Sequence, residues 1–331
     1  MKRLFAAFAV ALLAGCGAPA QPAGETGPRV SPAGAHRDGG RAWMMPQKKG
    51  SVLMYVGDWS TRDVYVQSYP SGKTVGTLTG FDDPYDMCVD AEGDVFVTNF
   101  GGENAVKYAH GGTKVLATYA TGGGPIGCAV DAKGDVAVTN FSPGEVVVFS
   151  GGNPSSATTY DDPDCTDLWP MGYDDKGNLI GVGETTGTIS ACALLRGATK
   201  MTTLALKGIT ISFPGGTMWD GKYISLGDQE PGATFENGLW PATLRGTTLS
   251  ASKHVVLSSG CGGAQSTDVS PFVLGKQNTP ANHSVSDVVI GLAPCTGYSF
   301  VGYWHYRKGG TAFKKLTAPA KTFGIAVSVG T

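Results

Sequence analysis

Five short apolar runs in this chain each end on a side chain that offers an oxygen. They are Val56-Gly57-Asp58, Val97-Thr98-Asn99, Val138-Thr139-Asn140, Val182-Gly183-Glu184 and Leu226-Gly227-Asp228. A sixth run, Ile290-Gly291-Leu292, keeps the pattern but loses the oxygen. If the runs are equivalent strands of a repeating structure, the five side chains lie at similar radius on one face. A ring of carboxylates and amides suits a hard divalent cation, Ca²⁺ above all, because such ions take oxygen ligands. The same residue types have a second use at a strand end, where Asp or Asn caps the following turn by accepting from its backbone amides. On that second reading no cofactor is required.

Other chemistry is sparse. The five histidines, His36, His110, His254, His283 and His305, show no metal-ligand spacing. There is no nucleophile elbow and no phosphate loop, and spacing assigns no catalytic triad. The net charge of −2 and the lack of a basic stripe argue against nucleic acid as a partner. Six cysteines remain when Cys16 is set aside, and an even number in an exported chain points to disulfides. Cys261 with Cys295 is the pair expected from position. Cys165 with Cys128 or Cys192 is a second candidate pairing. Cys88 and Cys128 read equally well as small buried apolar residues.

The elements that would position these residues repeat. Pro84-Tyr-Asp-Met-Cys-Val-Asp90-Ala-Glu-Gly93-Asp-Val-Phe-Val-Thr-Asn99 returns as Pro125-Ile-Gly-Cys-Ala-Val-Asp131-Ala-Lys-Gly134-Asp-Val-Ala-Val-Thr-Asn140. The shared offset, roughly 41 residues, is that of a β-propeller blade. The Asp-x-x-Gly segment between the runs suits a tight hairpin and recurs as Asp174-Asp-Lys-Gly177, with Trp219-Asp220-Gly221 a shortened copy. A Gly turn follows further on, at Gly72, Gly111-Gly112, Gly151-Gly152, Gly197, Gly246 and Gly309-Gly310. Each unit therefore reads as strand A, Asp/Gly turn, strand B, polar end, strand C, Gly turn, strand D. The predicted fold is all-β: a six-bladed β-propeller of four-stranded blades over residues 50–331. A seventh blade would need a hidden repeat within 255–300. The run Phe323-Gly-Ile-Ala-Val-Ser328 resembles a strand A, and the domain begins on a strand B at Val52, so the first blade is predicted to be closed by both chain ends.

One predicted face collects the B–C turns and D–A connectors. It carries the strand-end ring, the acidic segments Asp82-Asp83-Pro-Tyr85-Asp86 and Asp161-Asp162-Pro-Asp164-Cys-Thr-Asp167, and the aromatics Trp59, Phe100, Phe141 and Trp169. The insertion at 229–237 falls there too. Acid beside aromatic suits sugars, cationic groups or a protein loop. Asp58, Asn99, Asn140, Glu184, Asp228, Asp86, Trp59 and Trp169 are the candidate binding residues. The alternative is that loop acids are solvated and strand-end aromatics pack between blades.

The start of the chain reads as an address. Lys2 and Arg3 precede an apolar run from Leu4 to Leu13 that is too short to span a bilayer. Leu13-Ala14-Gly15-Cys16 resembles a bacterial lipobox, which implies a signal peptide over 1–15 and a lipidated Cys16. Residues 16–49, rich in Pro, Gly and Ala, read as a flexible tether. The expected location is the cell envelope, lipid-anchored at the outer membrane or another extracytoplasmic face, with the membrane as one partner and the protein a monomer.

The repeating units resemble NHL repeats and the wider gluconolactonase and senescence-marker-protein propellers. The resemblance covers 50–331 and is strongest at Asp86-Met-Cys-Val-Asp-Ala-Glu-Gly-Asp-Val-Phe-Val. It implies, for an enzyme of that group, one divalent metal in the central channel held by Glu, Asn and Asp. One of those carboxylates sits in a Pro-Asp-Gly-Met-Cys stretch. Here the order is Pro84-Tyr85-Asp86-Met87-Cys88, so the acid is displaced by one position, which in a regular strand turns it to the other face. No Glu opens the first blade. The leading expectation is a non-catalytic binding scaffold for an envelope protein or a glycan. The alternative is a metal-dependent lactonase or esterase with its site in the channel.

Overall fold

The structure, a computed structural model, describes residues 40–185, 187–229, 237–258, 273–274, 288–295, 298–318 and 322–330. The Asp/Gly turns form as their chemistry requires. Asp90 Oδ1 accepts from the Glu92 and Asp94 amides at 3.1 and 2.8 Å. Asp131 does the same for Lys133 and Asp135, and Asp174 for Lys176 and Asn178. The glycine of each turn sits at positive φ, +86° at Gly93, +82° at Gly134 and +81° at Gly177, where a Cβ would be strained. Each turn folds strand A back on strand B, and antiparallel pairing continues to C and D. In the second blade this order is Pro84–Val89, Val95–Asn99, Asn104–Tyr108 and Val115–Ala120.

The described strands form five sheets, and the eleven-stranded one holds two such units joined at their rims, so six units are traced among the described residues. Three of their B strands, Val95–Asn99, Val136–Asn140 and Ile224–Asp228, are buried at every residue and so on both faces. Six apolar clusters explain this, each shared between two neighbouring sheets. Leu53 and Tyr55 pack with Val95 and Val97, Phe96 and Tyr119 with Val136 and Val138, and Ala137 and Val146 with Leu179 and Cys192. Ile180 and Val182 pack with Ile224 and Leu226, Leu239 and Leu257 with Phe300 and Trp304, and Val301 and Tyr303 with Met54 and Val56. The sixth cluster returns to the first sheet, so face-to-face burial of apolar area closes the ring. At the rim, the D strands of the second and third blades, Val115–Ala120 and Ala157–Asp161, have one neighbour each and are mostly exposed.

The chain ends meet as expected. Thr322–Val329 pairs antiparallel with Val52–Asp58, with Val327 opposite Met54 and Ala326 opposite Tyr55. Gly324, at φ +73°, lets this strand pass the second blade, because a Cβ there would collide with the Tyr85 carbonyl.

Several details depart from the sequence reading. The tether does not run to residue 49: Trp43–Met44 adds a fifth strand to the rim of the first blade, opposite Thr77 and Gly76, and Met44 packs on the core. In the sixth unit Ile290-Gly291-Leu292 lies mid-strand, not at a strand end. Strand B runs Val288–Cys295 and pairs through Cys295 with Tyr298. Strand A of the fourth blade is split into Asp167–Leu168 and Gly172–Tyr173 around Pro170, which has no N–H to give the ladder. The rims of the fourth and fifth blades are also joined, by a parallel pairing of Ala205, Leu206 and Lys207 with Thr248, Leu249 and Ser250.

Candidate functional site

The strand-end residues make local bonds. Asp58 is buried and its Oδ1 accepts from the Ser60 amide at 2.8 Å, the Ser60 hydroxyl at 2.6 Å and the Thr61 amide at 3.4 Å, which caps the B–C turn. Three others reach sideways to the D–A connector of their own blade. Asn99 Oδ1 accepts from the Asp82 amide, and Asn140 Nδ2 donates to the Thr121 carbonyl at 3.1 Å. Asp228 Oδ1 accepts from the Ser212 and Phe213 amides at 3.1 and 3.2 Å. These bonds fix where the incoming strand A begins. Glu184 is partly exposed, and its backbone carbonyl accepts from Thr166 Oγ1. Among the described residues no three His, Cys, Asp or Glu side chains are grouped to hold a metal ion.

The same face brings together aromatics that sequence reasoning had only in part. Trp59 lies edge-on to Phe323 at 6.2 Å, Phe323 stacks on Tyr85 at 4.9 Å, and Tyr85 meets Phe100 at 6.4 Å. Phe141 lies edge-on to Trp169 at 5.7 Å, and Trp169 to Phe213 at 5.1 Å. Gly124 bridges the two sets. A Cβ on it would strike the Phe100 ring, and its carbonyl accepts from the Phe141 amide at 3.0 Å. The result is an arc of seven partly exposed aromatics across five blades, with Phe100 the most open at 38%. Tyr85, Phe213 and Phe323 were missed. Their signal was an aromatic beside the Pro or Gly that opens a strand A, as in Trp169-Pro170, Phe213-Pro214 and Phe323-Gly324.

Acids border the arc. Phe100 donates its amide to the Asp83 carbonyl at 2.9 Å and Gly101 donates to Asp82. Asp167 stands two residues before Trp169, and Leu168 between them donates its amide to the Phe141 carbonyl at 2.9 Å. Arg62 is the local cation and pairs with Asp82 at 3.0 Å and Asp83 at 3.8 Å. Both pairs are well exposed and each contributes little to stability.

Asp86 is a different case. The one-residue displacement was expected to turn it out of the channel. A register shift between Pro84 and Met87 absorbs that displacement, and Asp86 lines the channel cavity. This cavity, of about 560 Å³, is walled by strand A residues of five blades, among them Cys88, Ala129, Met171, Thr217 and Ile325, and reaches the turns at 131–135 and 174–177. Asp86 is only 3% exposed. Its two oxygens accept from the Met87 amide at 2.6 Å and the Cys128 amide at 3.3 Å. Those bonds favour the carboxylate, but burial outweighs them and pushes its pKa up to about 8.

Beside it, Cys88 and Cys128 form a disulfide, Cα–Cα 5.6 Å, that links the inner strands of the second and third blades. The reading of these two as plain buried residues is therefore corrected: equivalent positions on adjacent A strands face one another across the channel wall. Cys165 is bonded to Cys192. The expected Cys261–Cys295 pair lies outside the described residues at Cys261. His110 is half-buried between Ser51 and Ser328, and burial lowers its pKa. His254 stacks on Trp240 and His305 on Phe313.

No protein-family model matches the chain, and no curated protein matches it in sequence. Solved structures do match. One is a chain of a nidogen/laminin complex, with a TM-score of 0.62 at 13% identity, covering 84% of this chain and 99% of that one. A protein of unknown function from Bacteroides caccae gives 0.57 at 9% identity, with 84% and 99% coverage. TolB from Acinetobacter baumannii gives 0.56 at 11% identity, with 86% and 68%. The fold is a β-propeller. At these identities the likeness speaks to the fold alone.

Proposed function

We propose that this chain is an extracytoplasmic propeller of the NHL or gluconolactonase-like kind that works as a binding scaffold, docking a protein or glycan on the face of its B–C turns and D–A connectors. The observation that carries the reading is the aromatic arc. Seven rings left partly in water along one face, beside acidic loops, leave apolar surface that packing within and between the blades does not bury. The nidogen/laminin complex among the similar structures is in keeping with a propeller that serves as a protein-binding module. The lipobox-like Leu13-Ala14-Gly15-Cys16 supports an anchor in the cell envelope, with the residues before the Trp43 strand as linker. Two acyl chains or more hold a protein stably on a membrane, since each buried CH₂ contributes about 0.8 kcal/mol.

The test is site-specific photo-crosslinking in the native host. A crosslinker at Phe100 is expected to capture a discrete adduct, and one at Leu116, exposed on the rim strand, is not. Equal capture at both positions, or none at Phe100, refutes a dedicated docking face. Radiolabelled palmitate should enter the wild-type chain and be lost in Cys16→Ser.

A further inference from the structure

The arc also carries information about what it holds. The loops around it carry acids on three consecutive blades: Asp82 and Asp83 enter the second, Glu103 turns it, Glu145 turns the third, and Asp164 and Asp167 enter the fourth. Arg62 and Lys207 are the cations of the described turns and connectors on this face, and Arg62 is already paired. The opposite face differs. Its turns carry Lys114, Lys133, Lys176, Arg196, Lys222 and Arg245, which offset the capping Asp90, Asp131, Asp174 and Asp220 and the further acids Glu92, Asp94, Asp135 and Asp175. Among the described residues, the acids that turn cations do not offset lie on the aromatic face.

The two features ask for the same ligand. An aromatic face is negative at its centre and attracts a cation held within about 6 Å of the ring. Carboxylates at the border supply long-range attraction and charge-assisted hydrogen bonds. Neutral sugars would stack on the rings and donate hydroxyls to the acids but draw nothing from their long-range field, and an anionic partner would be repelled by them. The arc is also an extended shape, running from Trp59 on the first blade past Gly124 to Phe213 on the fifth, which a linear segment can follow and a compact small molecule cannot fill. Resting on the docking-face reading, we infer that the partner presents a basic polypeptide segment, with Lys or Arg side chains laid over the rings and paired to Asp82, Asp83 and Asp167.

The experiment uses residues 40–331 and four probes: an eight-residue peptide alternating Lys and Arg with Ser, its Glu counterpart, an all-Ser peptide, and chitotetraose. Binding is read by tryptophan fluorescence and calorimetry at 50 and 300 mM salt. The basic peptide is expected to bind saturably and to weaken at least tenfold at the higher salt. Trp169→Ala, Gly124→Leu and the Asp82→Asn/Asp83→Asn/Asp167→Asn triple variant should each weaken it tenfold or more, while Lys133→Ala on the far face leaves it unchanged. Chitotetraose or the Glu peptide binding as tightly overturns the inference. So does basic-peptide binding that ignores Trp169→Ala, which would mark unspecific attraction, and so does no binding at all. Failure here together with a specific Phe100 adduct leaves the docking face standing and removes only its basic partner; loss of both removes the face.

Discussion

Asp86 makes the stability of this propeller fall as pH rises. Its carboxyl is buried beside the Cys88–Cys128 disulfide with a pKa of about 8, against 3.8 for an ordinary aspartate. The folded state therefore holds a proton that the unfolded chain has released. Such a group contributes fully below the unfolded pKa, and its contribution is lost as pH rises through the folded one. Between pH 4 and 8 the loss is about 1.4 kcal/mol per pH unit, or about 3 kcal/mol from pH 5 to 7. His110 works the other way. Its lowered pKa means that stability is gained as pH rises through the histidine range. Comparing wild type with Asp86→Asn cancels that term. The amide oxygen still accepts from Met87, but one oxygen facing Cys128 is replaced by an NH₂, at about 1 kcal/mol. Urea unfolding at pH 5, 6, 7 and 8 is the assay. The stability of Asp86→Asn relative to wild type should rise by about 3 kcal/mol from pH 5 to 7, with the two curves crossing only below pH 5, where the loss from wild type falls under the about 1 kcal/mol cost of the amide. A difference that is flat with pH, or that grows in favour of wild type, refutes a proton on Asp86.

Other outcomes follow from the same contacts. Asp220 accepts from two turn amides, from Tyr306 Oη at 2.7 Å and from Arg307 at 2.6 Å, so Asp220→Ala strands buried partners on the sixth blade. It should cost about 3–5 kcal/mol in urea unfolding, whereas Asp174→Ala, which loses bonds only within its own hairpin, should cost about 1 kcal/mol. The Cys88→Ala/Cys128→Ala variant should lose about 2–4 kcal/mol, because that bond closes a long loop, and thiol titration of the unfolded, unreduced protein should find Cys88, Cys128, Cys165 and Cys192 unreactive. Truncation after Ala318 removes the strand that seals the ring and buries Ile325, Ala326 and Val327. The shortened chain should show no cooperative thermal transition by circular dichroism; a transition near the wild-type midpoint would mean that the seal is dispensable.

Much of the architecture was readable from spacing, because it depends on short-range chemistry. An Asp whose carboxylate can reach two amides, followed by a Gly that tolerates positive φ, specifies its hairpin wherever it occurs, and Asp90, Asp131 and Asp174 all do so. The resemblance of 323–328 to a strand A told which strand would meet Val52. The site was less legible, since it rests on contacts between blades. Nothing local says that Cys88 faces Cys128, that Tyr85 stacks on Phe323, or that Gly124 is bare so that Phe100 can lie across it. The bulge after Pro84 is the sharpest case. Alternation along a strand puts Asp86 on the wrong face, and the register shift against strand B decides otherwise. By itself the sequence determined hairpins, strands and the closure of the ring. Only the tertiary structure decided which side chains share a channel or an arc, because radius and facing are set by how neighbouring sheets pack.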